Sequence, residues 1–190
     1  MPVKGCTADC PLHGLELELE PLPFEPEYDG PSQAEAAKTL YEPLEDWQIR
    51  VLAIQPGIFG DPLISNLHAA DMLYDRGVLI HGTKQRIVYN ALSYCWGDGI
   101  ACRLLQCNGQ LYPVTRSAYQ ALQRLRKNTD VLYIWIDAIC INQHDLGEKA
   151  IQIGKMVTIY MKANVVQVWL GEPQKEGSMI ARLIIGFQGD

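Results

Sequence analysis

The sequence predicts an α/β fold: a mostly parallel sheet flanked by helices, with one antiparallel hairpin inserted. Three observations predict it. Two short apolar runs, residues 131–136 (VLYIWI) and 165–170 (VVQVWL), have the length and β-branched, aromatic character of strands buried on both faces. Between them lie a polar loop and a stretch with helical spacing. Strand, loop, helix and strand make one βαβ unit, which implies parallel strands. Finally, Asn108-Gly109 between RLLQC and QLYPV has the chemistry of a type I′ hairpin turn.

Residues 1–40 are rich in Pro, Glu and Gly and read as an acidic leader or linker. Within them Leu15, Leu17 and Leu19 alternate with glutamates and could form one edge strand. The Cys6, Cys10, His13 spacing resembles a zinc half-site but offers only three ligands, so no metal is assigned. The domain proper is placed at 41–190. Its first strand is residues 47–54 (WQIRVLAI), stopped by Pro56-Gly57. Residues 64–79 fit either a short helix or a two-stranded excursion, and VLIH at 78–81 is a strand candidate. Alternation from Tyr89 through Leu92 predicts a strand ending at the Gly97-Asp98-Gly99 turn, which leaves Ser93, Tyr94 and Trp96 at its carboxyl end. After the hairpin, Thr115 caps a helix to about Lys127 with Ala118, Leu122 and Leu125 inward.

The 131–136 strand ends on Asp137, followed by Cys140, Asn142, Gln143 and His144. Asp145 caps the next helix, and Glu148 completes an Asp-x-x-Glu capping box. Leu146, Ala150, Ile153, Met156, Val157 and Tyr160 make a stripe expected to face the core, broadened by Ile151 and Ile159. Residues 179–187 (MIARLIIGF) read as the start of another helix, with the chain expected to continue past Asp190. Ligands collect beyond the carboxyl ends of parallel strands, so 137–148 is where a site is expected.

Net charge is −6. It resides in the leader: residues 1–45 hold two lysines against ten acids, and the remainder is nearly neutral. No basic stripe with interleaved aromatics invites nucleic acid. No apolar run is long enough to span a membrane, and no secretory h-region opens the chain. The six cysteines then read as free thiols in a cytoplasmic protein.

YNALSYCWGD, the NG hairpin, the T-x-S-x-x-x-A-L-x-x-L-R helix and WIDAICINQHDLGEKAIQIGKMVTIYMKANVVQVWLG together resemble the fungal heterokaryon incompatibility (HET) domain, from about Tyr41 to Pro173. The resemblance implies a role in fungal self/non-self recognition as a trigger of programmed cell death, in a homo-oligomer with an NLR-type or allelic incompatibility partner. It also implies a remote likeness to TIR domains, flavodoxin-like folds of which several cleave NAD. NAD would then be a substrate, with no cofactor needed. Glu148 or Asp137 would oppose the positive charge developing on the ribose. Trp96 or Tyr94 would stack on a ring, and Ser93, Gly97, Cys140, Asn142 and Gln143 would line the site. The serine- and tryptophan-containing motif that carries the glutamate of TIR enzymes has no counterpart here, so Glu148 is assigned by position alone.

Each residue has a plainer role open to it. Glu148 could be only the cap, Asp137 could close a turn, and Trp96 could be core, as mid-strand Trp135 is expected to be. Cys140 with His144 would suit a thiol hydrolase. A non-catalytic adaptor acting through homotypic assembly is the alternative to an enzyme.

Overall fold

The structure, a computed structural model, describes residues 30–73, 76–97, 99–172 and 182–185. Its strands form one mixed sheet in the order β10-β9-β5-β8-β1-β2-β3-β4, with β6 paired to β2 and to β7. They are β1 Gln48–Ile54, β2 Ile64–Met72, β3 Val78–Ile80, β4 Arg86–Ile87, β5 Asn90–Tyr94, β6 Ala101–Cys107, β7 Gln110–Thr115, β8 Leu132–Trp135, β9 Val166–Trp169 and β10 Arg182–Ile185. The helices are α1 Gln33–Leu40, α2 Arg116–Leu125, α3 Asp137–Cys140 and α4 Leu146–Lys162.

This corrects the expected TIR- or flavodoxin-like, mostly parallel sheet. Parallel pairing is confined to β5 with β8, β5 with β9, and two residue pairs between β2 and β6. The other pairings are antiparallel: β1 with β2 and β8, β2 with β3, β3 with β4, β6 with β7, and β9 with β10. For the strands from β1 to β4, connection length is the cause. A parallel return needs a crossover of a dozen or more residues, usually a helix. The links from β1 through β4 are too short for one, so these strands fold back on their neighbours. Among the described residues, the links that carry helices run from β5 to β8 and from β8 to β9, and those strands form the parallel trio. The βαβ reading is right for β8, α4 and β9, except that β5 lies between the two strands.

The ambiguous 64–79 segment is the two-stranded excursion. The hairpin forms as expected, with Asn108 at φ 50° and Gly109 at φ 79°, the left-handed pair that a type I′ turn requires. Thr115 caps α2 by accepting from the Ala118 N–H at 3.2 Å. The edge strand expected over Leu15–Leu19 and the zinc-like trio both lie outside the described residues. In the helix expected over 179–187, the described part, Arg182–Ile185, is instead a strand on β9. The sequence reading also passed over α1. Its signal was Ser32-x-x-Glu35, a complete capping box, and α1 sinks Ala36, Ala37 and Leu40 into the core.

The core lies along β1, buried at every position, and around Trp135, which meets Tyr160 edge-on at 5.6 Å between centroids. Such aromatic pairs are worth about 1 kcal/mol beyond the area they bury. α4 departs most from expectation. Leu146, Ala150, Ile153 and Val157 of the predicted inward stripe are exposed. The buried positions are Gln152 and Ile159, with Met156 and Tyr160 packed partly against the core. Polar anchors set this rotation. The Gln152 amide and the Lys155 ammonium both donate to the Gln48 carbonyl, at 3.1 Å each, and the Tyr89 hydroxyl donates to the Ile159 carbonyl at 2.8 Å.

Candidate functional site

The parallel trio β8, β5 and β9 ends at one rim. Asp137 follows β8 as the first residue of α3, and Trp96 lies two residues beyond β5. Asp137 Oδ2 accepts from Trp96 Nε1 at 3.1 Å and Oδ1 from the Ala138 N–H at 2.7 Å. The Asp137 carbonyl accepts from Gln143 Nε2 at 2.8 Å. Burial raises the carboxyl's pKa above the usual carboxylate range, against the opposing pull of those N–H donors and of Lys149. Trp96 stays 37% exposed and stacks on Tyr94 with centroids 6.4 Å apart and planes 14° off parallel. The Tyr94 hydroxyl is buried near Thr115 but forms no well-shaped hydrogen bond. Burial, and then the Asp137 charge, raise its pKa. Gln143 Oε1 and Trp169 Nε1 are likewise buried without partners, and Trp169 pairs across the sheet with Tyr94. Ser93 lies beside Tyr160, whose hydroxyl donates to the Leu92 carbonyl at 3.2 Å. Gly97 takes φ 72° with open space where a side chain would stand, so the chain can turn there at little cost.

Glu148 belongs to a different cluster. Its carboxylate accepts from Arg50 Nη1 at 2.5 Å and Nη2 at 2.9 Å, and Oε1 also accepts from the Asn142 N–H at 2.8 Å. It does not close a capping box: Asp145 Oδ1 caps Gly147 and Glu148, while the Asp145 N–H donates to the Asn142 carbonyl. Arg50 is 3% exposed. It donates further to the Glu42 and Cys140 carbonyls and lies over the Tyr41 ring, 4.7 Å from its centroid. Tyr41 in turn donates to the Ile139 carbonyl at 2.9 Å. The bidentate fork, its extra carbonyls and the aromatic face satisfy a buried cation as far as geometry allows. Sequence reasoning missed Arg50 and Tyr41. The available signal was a lone arginine inside the apolar run WQIRVLAI, which when buried demands a carboxylate.

Asn142 thus serves the Glu148 cluster, and its Oδ1 accepts from the His144 N–H. Cys140 is fully buried, with its sulfur accepting from the Ile136 N–H at 3.5 Å. Burial pushes its thiol up to about 12, so thiolate is scarce at neutral pH. His144 is exposed. The segment from Asp137 to Glu148 therefore carries two assemblies back to back: an open aromatic and carboxylate rim, and a closed ionic knot.

The family described as "Heterokaryon incompatibility protein (HET)" matches residues 89–185, just over half of the chain. The chain belongs to the HET family. A Neurospora crassa protein described as "Heterokaryon incompatibility protein 6, OR allele" is 36% identical over 96 residues, covering 44% of this chain and 14% of that relative. The HET chain thus spans about a seventh of the length of that relative. No solved structure matches it, so the TIR likeness gains no support from a known fold. The HET match begins one residue before β5 and includes the rim and Glu148, whereas Arg50 and Tyr41 lie outside it. Among the described residues no helix is long and apolar enough to cross a membrane.

Proposed function

We propose that this chain is a signalling module of fungal self/non-self recognition, triggering incompatibility and programmed cell death by assembling with copies of itself and with an incompatibility partner. One observation carries the reading: membership of the HET family across 89–185, with a relative named for heterokaryon incompatibility. The state of Glu148 supports assembly over catalysis, because a carboxylate spent on a buried arginine and a backbone N–H has little left for a substrate. Expression of the chain in a fungal host, with viable cells counted, tests it. Killing that rises with expression is expected. Unimpaired growth at every expression level ends the proposal.

A second reading, hydrolysis of NAD to nicotinamide and ADP-ribose, is favoured by one feature: the Asp137 carboxyl held beside the open face of Trp96. Here Asp137 opposes the growing positive charge of the ribose, Trp96 stacks on a ring, and Ser93, Tyr94 and Gly97 flank it. The assay is nicotinamide release followed by mass at low and high protein concentration. Asp137→Asn is expected to abolish release, and the paired change Arg50→Met with Glu148→Leu, which removes the glutamate together with its partner, to spare it. No nicotinamide at any concentration leaves assembly as the sole mode of action.

A further inference from the structure

α4 presents an apolar stripe to solvent. Leu146 is 80%, Ile153 50%, Val157 72% and Met161 64% exposed; Ala150 is exposed as well. A side chain built on Gly154 would meet nothing within 4 Å. At about 100° per residue these six positions fall within roughly a quarter of the helix circumference. The opposite side carries Gln152, Lys155 and Ile159, tied to Gln48 and Tyr89, so the helix cannot roll to hide the stripe without breaking those anchors.

The stripe is symmetric about the Ile153–Gly154 bond. Leu146 and Met161 are equidistant from it, as are Ala150 and Val157, and Ile153 and Gly154. An isologous interface about a two-fold axis requires that one patch complement itself when reversed. Reversal here sets the bulky Val157 over the small Ala150 on the mid-line, while Ile153 and Gly154, on the two edges of the stripe, each meet their own copy across the axis, Gly154 allowing close approach there. Leu146 meets the unbranched, adaptable Met161 at each end. Reversal also opposes the two helix dipoles favourably.

We propose that α4 is a self-association surface, and that two copies of this chain pack antiparallel through Leu146, Ala150, Ile153, Gly154, Val157 and Met161. This deepens the assembly reading by naming the contact; because the readout is association and not killing, either can fail without the other. The partner is a second copy, because the size complementarity is that of the stripe with itself.

Sedimentation velocity of the full chain across a concentration series provides the test. A monomer–dimer equilibrium is expected, with Val157→Glu weakening it by at least tenfold in Kd and Val88→Glu, at an exposed apolar position elsewhere (54%), leaving it unchanged. Orientation is read from disulfide trapping in a background with Cys6, Cys10, Cys95 and Cys102 changed to serine. Gly154→Cys should link to itself. Leu146→Cys should link to a Met161→Cys chain and not to its own kind. A chain that is monomeric at every concentration, a dimer indifferent to Val157→Glu, or self-linking of Leu146→Cys would each overturn the proposal. A monomer that Val157→Glu destabilises would mean instead that the chain covers this face with its own residues.

Discussion

Replacing Glu148 by glutamine keeps the shape of the side chain and removes only its charge. In this structure that charge meets Arg50, 3% exposed, through two hydrogen bonds of 2.5 and 2.9 Å, with the Glu148 side chain itself 12% exposed. The glutamine can still accept once from the guanidinium, but its amide NH2 now faces an N–H donor. Arg50 cannot shed its proton, so a cation remains buried with only carbonyls and the Tyr41 ring to satisfy it. Breaking one side of a buried pair costs roughly 3–5 kcal/mol; the retained acceptor places Glu148→Gln near the low end, about 3 kcal/mol. At a urea m-value of about 2 kcal/mol/M the unfolding midpoint falls by about 1.5 M. Changing both partners to apolar residues, Arg50→Met with Glu148→Leu, should recover most of that loss, since no unpaired charge is left behind. The assay is urea unfolding followed by circular dichroism on Glu148→Gln and on the four members of the cycle: wild type, Arg50→Met, Glu148→Leu and the double. A loss below about 1 kcal/mol for Glu148→Gln, or a double variant as weak as the sum of the singles, would refute the ionic knot and return Glu148 to the pool of available carboxylates.

Three further outcomes follow from other sites. Asp137 should titrate above the usual carboxylate range, seen as a pH-dependent change in Trp96 fluorescence that is absent in Asp137→Asn. Because its folded pKa is raised, its contribution to stability is fully present below the unfolded value, about 3.9, and is lost as pH rises through the folded pKa, so wild type should lose ground to Asp137→Asn between acid and neutral pH. Among the described cysteines, exposed Cys95 should alkylate at once, whereas Cys140 and Cys107, with thiols pushed up to about 12 and about 11, should react only on unfolding; peptide mass mapping distinguishes these. Gly77→Ala should cost far more than Gly109→Ala in thermal unfolding. Both are left-handed, at a cost of about 1 kcal/mol each, but a methyl on Gly77 would stand 2.5 Å from the Ile87 carbonyl oxygen and one on Gly109 would meet nothing.

What the sequence disclosed was local. Asn108-Gly109, the Thr115 cap and the Asp145 cap each declare themselves within four residues, and each forms, although Glu148 does not close the box expected at Asp145. What it concealed was pairing. The run WQIRVLAI announces a buried strand, but nothing within it says that its arginine meets Glu148, ninety-eight positions later. Helical periodicity in α4 correctly announced a helix and an apolar stripe. It could not tell which side the sheet would hold, because that was decided by polar anchors from Gln152, Lys155 and Tyr89. Sheet direction was misjudged for the same reason: one βαβ unit was visible, and its parallel sense was extended to strands whose short links forbid it. At the site, Asp137 and Glu148 were legible as two carboxylates of one short segment, while their division between an open rim and a closed knot is a tertiary fact.

The position of β5 between β8 and β9 bears on how the chain reaches this state. Residues 90–94 leave the ribosome well before either flanking strand exists, since Ala91 pairs with Trp135 on one side and Val166 on the other. Until then Ala91 and Leu92, both buried in the finished domain, sit on a strand with two bare edges, the kind of surface that captures foreign strands. Completion of the nascent domain waits on β9, so a messenger truncated anywhere before Val166 would release a sticky intermediate and not a smaller working unit.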